Sequence, residues 1–247
     1  MEYPMTRQII GELDGWLRDL AAPHLPLKRV KLANGAFHWA FTHETPEALL
    51  VGKAVTMVSA INAALFLADS GFTAECHSLL RMVSDLSHEM VFVVEGLLPG
   101  GLNDSQQQFV RQYFISMPQT EADWERLRQG KYVSRKEILK AQRRLATKGG
   151  VDADKLHRLT LTLNQGYDQY VHGGYLTAME LFNGLTNQFM LHGHESKDHW
   201  NLSTKSVAGK LNEVLAAIEL ASLHAQMVSL AISIANARHR LEASGES

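Results

Sequence analysis

Residues 73–98 read TAECHSLLRMVSDLSHEMVFVVEGLL. Thr73 opens the segment and Pro99-Gly100-Gly101 closes it. Between them Leu79, Leu80, Met82, Val83, Leu86, Met90, Val91, Phe92, Val93 and Val94 occupy most of a helical circumference. One face is different. His77, Arg81, Ser84 and His88 fall four, three and four residues apart, with Asp85 and Glu89 at the edge of the stripe and Glu95 two turns beyond. A helix so apolar elsewhere is a buried helix, and Arg and Glu are costly to bury without partners. The stripe is therefore exposed to solvent, paired internally (Arg81 with Asp85 or Glu89), or the wall of a polar cleft.

The pattern extends outward from this helix. Pro46 opens a second apolar helix to about Ser70 with Gly71 as its stop, and the two make an antiparallel pair at the centre of the fold. Upstream, Met5–Ala22 places Ile9, Leu13, Trp16, Leu17 and Leu20 at helical spacing before Pro23. Leu27–Phe41 is the one β segment expected: Asn34-Gly35 between Val30/Leu32 and Phe37/Trp39/Phe41 predicts a hairpin, which must lie against helices to be stable. Downstream, helices are expected over Asp104–Met117, Thr120–Gln129 and Ser134–Thr147, the last with Ser134 and Glu137 as a capping box. Asp152 caps another to about His172, apolar spacing resumes after Gly173-Gly174 through Phe189, and His192–Asn201 reads as a loop.

The last element carries two adjacent stripes. Val207, Leu211, Val214, Ile218, Ala221, Ala225, Val228, Ile232 and Ala235 form one; Leu220, Leu223, Met227, Leu230, Ile234 and Leu241 form the other. Two stripes make a wide apolar arc, as in a central bundle helix or a dimer seam. The expected fold is all-α: a bundle of about seven or eight helices with a long apolar C-terminal helix and one small N-terminal hairpin. Residues 1–247 read as a single helical domain, with 118–150 as a candidate peripheral basic insertion.

Composition narrows the function. Of 247 residues 45% are hydrophobic and 20% charged, as in an ordinary globular chain, and a net charge of −2 supplies no global field for nucleic acid or membrane. The single cysteine, Cys76, excludes an internal disulfide and a thiolate zinc site, in keeping with a reducing compartment. The N-terminus lacks an apolar signal-like core, so a cytoplasmic location is expected. Ala54–Ala68 is broken by Thr56, Ser59 and Asn62, and Val214–Ala235 contains Glu219, His224 and Gln226, so no membrane span is expected. Neither a phosphate-binding glycine loop nor a serine elbow is present. Asp85-x-x-His88 and Asp154-x-x-His157 match half of a di-iron motif with Asp for Glu, close to what twelve histidines give by chance. Neutral imidazoles at His192, His194 and His199 suit zinc or nickel, against the alternative of a solvated loop. No metal or cofactor is assigned.

Arg81 and His88 are separated by six residues, which puts them on one helix face about 10 Å apart along the axis. A cation that holds phosphate beside an imidazole that moves protons suits phosphodiester cleavage. In this Arg-x6-His pattern the chain resembles the HEPN families of helical nucleases. The resemblance implies metal-independent RNA cleavage by Arg81 and His88 in a site completed across a homodimer. Ser78–Glu89 followed by Tyr167–His172 is also similar to helical bacterial proteins of unassigned function, which brings no activity with it.

Two other segments bear chemistry. Tyr167, Asp168, Tyr170, His172 and Tyr175 cluster beside Gly166 and Gly173-Gly174, with Asp168 one turn from His172 and so able to orient its imidazole. Either this is a tight helix crossing or it is the wall facing His77, Arg81, Ser84, Asp85, His88 and Glu89. Between Glu125 and Lys148, nine cations (Arg126, Arg128, Lys131, Arg135, Lys136, Lys140, Arg143, Arg144 and Lys148) face two acids, Glu125 and Glu137, with Trp124 and Tyr132 alongside. A solvated amphipathic helix has this composition, and so does a patch for RNA or another anionic partner. The expectation is a non-catalytic protein, dimeric through apolar helices, that binds a ligand or partner in a polar pocket between helix 73–98 and segment 167–175. The alternative is the HEPN-like ribonuclease.

Overall fold

The computed structural model of the chain describes residues 3–31, 35–98, 100–115, 132–172, 181–183, 187–190, 192–193 and 197–246, with the single positions 122, 125, 128 and 179 (side chains at 183, 189, 198 and 199 excepted). The fold is all-α, with eight α-helices among the described residues. They are α1 (Pro4–Ala21), α2 (Pro46–Asp69), α3 (Thr73–Leu97), α4 (Asp104–Phe114), α5 (Arg135–Lys148), α6 (Ala153–Val171), α7 (Lys197–His224) and α8 (Val228–Ala243). Met117, Pro118 and most of the expected helix 120–129 lie outside the described residues.

Helices α2 and α3 form the antiparallel centre. Thr45 caps α2 by accepting from the Ala48 amide at 3.2 Å. The turn at its far end is closed by the Phe72 amide donating to Leu67 O at 2.9 Å, with Gly71 at φ +77, a conformation that a side chain resists. By length and composition α2 is apolar enough to cross a bilayer, but most of its apolar face (Leu49, Met57, Ile61, Ala64) is buried against its neighbours. α7 lies across this pair with Val207, Leu211, Val214, Leu215 and Ile218 buried, and α8 folds back on α7. A single apolar cluster joins Ile9 and Leu13 of α1, the α2–α3 pair, Ile138 and Ala141 of α5, and Ile234 and Leu241 of α8. The chain ends meet: the Glu246 carboxylate accepts from the Met5 and Thr6 amides at the start of α1 (3.1 and 2.8 Å), and Arg240 holds Glu12 bidentately.

The hairpin forms, with β1 (Lys28–Lys31) antiparallel to β2 (Phe37–Ala40) and Arg29 opposite Trp39. It does not lie against the helices as its stability would demand, for Phe37 and Trp39 are 50% and 67% exposed. The Arg29 guanidinium stacks over Phe37 at 3.8 Å, and the strand meets the bundle through Phe41, edge-on to Phe114.

Three stretches differ from the reading of the sequence. The long C-terminal helix ends at His224, and the stripes that continue to Leu241 belong to two helices. Gln226 at φ +58 and the Met227 amide bonded to Ser222 O make the turn. No glycine or proline marks this break, and Leu223, Val228 and Ile232, part of the apolar arc in sequence, are exposed. Residues 197–201, expected as loop, are the first turn of α7. Within the apolar run toward Phe189 the described residues include a second short ladder, β3 (Phe182–Asn183) paired with β4 (Gln188–Phe189).

Helix α5 is pinned to α3 through a buried carboxylate. Arg144 meets Glu95 with two bonds of 3.0 Å, and Gln106 of α4 donates to the same carboxylate at 3.2 Å and to Phe92 O at 2.7 Å. Asn103 and Gln106 complete a capping box at the start of α4. This junction requires Gly96, since a Cβ there falls 2.1 Å from Gln106 Oε1. Gly96→Ala is therefore expected to lower stability by about 1–3 kcal/mol in urea unfolding. Gly11→Ala, in a helix interior with nothing within 4 Å, is expected to raise it by about 0.5–1 kcal/mol.

Candidate functional site

All four stripe residues of α3 are buried: Arg81 is 6% exposed and His88 4%, with His77 and Ser84 similarly enclosed. They divide between two neighbours. Arg81 faces α6, Ser84 and His88 face α7, and His77 touches both.

Arg81 Nε donates to Asp168 Oδ1 at 2.6 Å, and its Nη1 pairs with Asp85 one turn ahead on α3. Burial opposes the charge, but the two carboxylates outweigh it and hold the guanidinium above its ordinary pKa. Arg135 of α5 approaches Asp85 at 3.7 Å. Asp168 thus turns to Arg81 and not to His172, the partner its spacing suggests, because a buried cation offers a stronger pairing than an exposed imidazole. His77 stacks at 4.5 Å on Tyr170 and 5.7 Å from Tyr167, with Nε2 3.2 Å from Ser206 Oγ. Burial depresses its pKa to about 4. His172 is exposed; Gly173, Gly174 and Tyr175 lie outside the described residues.

On the α7 side a compact network surrounds Glu213. Ser87 Oγ donates to Oε1 at 2.5 Å and Ser84 Oγ at 3.1 Å, while Lys210 Nζ reaches Oε2 at 2.5 Å and Ser84 Oγ at 2.7 Å. Burial pushes the Glu213 carboxyl up, but Lys210, His88 and the hydroxyl donors more than reverse this, and it sits below the usual carboxylate range. For His88 the balance runs the other way: burial lowers its pKa, and Glu213, 3.6 Å from Nε2, only partly offsets that. Among the described residues the His88 Nδ1 has no hydrogen-bond partner. A neutral, deeply placed imidazole can exchange protons only with a group brought into its own cavity.

Four cavities adjoin these residues. The largest, about 620 Å³, lies between α3 and α6, bordered by Lys53 of α2, Ser78, Arg81, Asp85, Glu89, Asp168 and His172. Lys53 Nζ sits 2.5 Å from Glu89 Oε2 in its wall. A smaller one of about 260 Å³ is shared by Arg81, His88, Glu89 and Arg135. A third of about 330 Å³ reaches Ser84, His88, Lys210 and Glu213 from the α7 side. The fourth, about 340 Å³, lies between α5 and α6. Asp168 and His172 of segment 167–172 border one cavity with Arg81, Asp85 and Glu89 of α3, while His77, Ser84, Tyr167 and Tyr170 are not in its lining and the two tyrosines pack against His77.

Among the described residues, the cations of the basic stretch divide between different partners. Arg144 and Lys148 are directed at Glu95, Arg143 pairs with Asp154, and Arg128 lies 3.5 Å from Glu125. Arg135, Lys136, Lys140 and Arg143 border the cavity between α5 and α6. Arg126, Lys131 and Trp124, together with His194 and the His199 side chain, lie outside the described residues, and His192 is exposed. Among the described residues no three His, Cys, Asp or Glu side chains gather as a metal site.

Lys53, Ser87, Asn164, Ser206, Lys210 and Glu213 escape a reading of the sequence. Lys210 and Glu213 carried a usable signal: two opposite charges three residues apart inside the apolar arc of α7. Comparison with family models, with curated proteins and with solved structures finds no match for this chain.

The depressed pKa of His77 has a consequence for stability. Between pH 6.5 and about 4 the unfolded chain binds this proton and the folded chain does not, so stability falls as pH drops through that window. The contribution is roughly 3 kcal/mol at most. Urea titrations across the window are expected to show the loss in the parent and a shallower slope in His77→Phe.

Proposed function

We propose that this protein is a binding protein whose ligand is a small polar molecule seated in the cleft between α3 and α6. The observation that carries this reading is the cavity of about 620 Å³ with a buried, doubly paired Arg81 in its wall. Its size is typical of small-molecule sites, about 300–1,000 Å³. The lining holds three carboxylates (Asp85, Glu89 and Asp168) against two cations (Lys53 and Arg81), which favours a neutral or cationic polar ligand. The fixed ion pairs orient the donors and acceptors before a ligand arrives, which reduces the cost of binding. A second copy of the chain, joined through exposed apolar residues of the C-terminal helices, belongs to the same reading.

A second reading is the HEPN-like, metal-independent ribonuclease. It is favoured by one geometric fact: Arg81 and His88 border the same cavity of about 260 Å³, with Arg135 beside them. For this chemistry Arg81 must exchange a carboxylate for phosphate, and the basic residues 125–148 would hold RNA.

Two measurements separate the readings. In a thermal-shift panel of small amines, amino acids and polyols, a ligand at a hundredfold excess over its Kd is expected to raise Tm by roughly 5–10 °C. The shift should disappear in Asp168→Asn and Glu89→Gln but persist in Lys136→Ala. Labelled RNA incubated with EDTA is expected to remain intact. Cleavage that is lost in both folded Arg81→Ala and His88→Ala variants would replace the binding reading with the nuclease.

A further inference from the structure

The cavity between α5 and α6 has a buried carboxamide in its wall. Asn164 is 3% exposed, yet among the described residues neither its carboxamide nitrogen nor its oxygen has a hydrogen-bond partner. His157 Nδ1, also bordering the cavity, is unpartnered as well. Buried polar groups are nearly always paired, so a carboxamide left open on both sides marks a place where something else completes it. A carboxamide offers a donor beside an acceptor, and the matching partner is a ring edge with an acceptor beside a donor, as a nucleobase presents. Leu139 and Leu161 supply apolar walls next to it.

Charge says what the rest of the ligand carries. Arg143 pairs with Asp154, and Arg135 approaches Asp85 at 3.7 Å. Lys136 and Lys140, which border the same cavity, have no ion-pair partner among the described residues. Ammonium groups serve phosphate as point charges. At about 340 Å³ the cavity falls at the small end of ligand sites.

We propose that the α5–α6 cavity binds a mononucleotide, with the base edge on Asn164 between Leu139 and Leu161 and the phosphate at Lys136 and Lys140. The proposal does not rest on the cleft between α3 and α6. It also gives the basic stretch a role other than tracking an RNA backbone: two of its lysines serve one pocket.

Calorimetric titration of the full chain with the four 5′-nucleoside monophosphates tests it, beside adenosine and inorganic phosphate. At least one nucleotide is expected to bind with Kd below about 1 mM, at least about tenfold more weakly in Lys136→Ala/Lys140→Ala, and not measurably in Asn164→Leu. Without ligand, Asn164→Leu is expected to melt higher than the parent, since it removes an unmatched carboxamide from the interior. A lower melting temperature would mean that Asn164 serves the fold, and would overturn the proposal. So would the absence of binding by all four nucleotides, or inorganic phosphate binding as tightly as any of them. Single-stranded oligonucleotide whose binding survives Asn164→Leu would likewise overturn it, in favour of an RNA track.

Discussion

A buried arginine sets the terms for this molecule. Arg81 stands on a helix that is apolar on its other faces, and an unpaired guanidinium in such a place costs several kcal/mol, of the order found when buried ion pairs are broken. Asp85, on the same helix, supplies one counter-charge. The other comes from Asp168, 87 residues away on α6, at 2.6 Å. That contact fixes where α6 lies against α3, and with it the walls of every cavity on this side of the bundle. The same logic repeats on the α7 side, where Lys210, Ser84 and Ser87 meet Glu213. The polar stripe is neither a solvated face nor a self-contained ion pair; it forms two seams between helices.

The seams also explain the arrangement of the cavities. Asp168 borders both the large cleft and the pocket between α5 and α6. Arg81, Asp85 and Glu89 border the large cleft and the small cavity beside His88. Arg135 and Leu139 border that small cavity and the α5–α6 pocket. Three spaces therefore meet around one ion-pair cluster, and the cluster is the partition between them. Charge differs across it: carboxylates dominate the α3–α6 side and cations the α5–α6 side.

The sequence is most informative where a single helix determines its own burial. The α2–α3 pair, its Gly71 turn, the caps at Ser134 and Asp152, and the stripe on α3 all follow from local spacing and composition. Segment 167–172 was legible as the facing wall because it concentrates aromatic and polar groups between glycines. What remained hidden depends on partners far away in the chain. Nothing local indicates that Asp168 turns from His172 to Arg81, or that Arg144 belongs to Glu95, since each choice is settled by which buried charge lies opposite. The break at Gln226 was invisible for another reason. A non-glycine residue takes the left-handed conformation there while helical spacing runs on through it. Asn164 gave no signal at all, because an asparagine in a helix says nothing about whether its carboxamide will find a partner.

The helix that borders both the α3–α6 cleft and the α5–α6 pocket is also the least anchored by apolar burial. Along α6 only Thr160 and Asn164 are buried, and Leu159, Leu161 and Leu163 are exposed. Its hold on the bundle comes from the Tyr167 ring against the core, from Asp168 on Arg81 and from Asp154 on Arg143. Elements held by few apolar contacts open at a lower free energy than the core they rest on. Polar contacts of this kind are directional, and a ligand that competes for Asp168 or Arg81 alters the same bonds that position the wall. Occupancy of one cavity can reach the other through Asp168 of this helix, which borders both, and through Arg135 of α5, which borders one and approaches Asp85 of the other at 3.7 Å. Asn164 and Asp168, one turn apart on α6, are the two groups by which that helix would register that a site is filled.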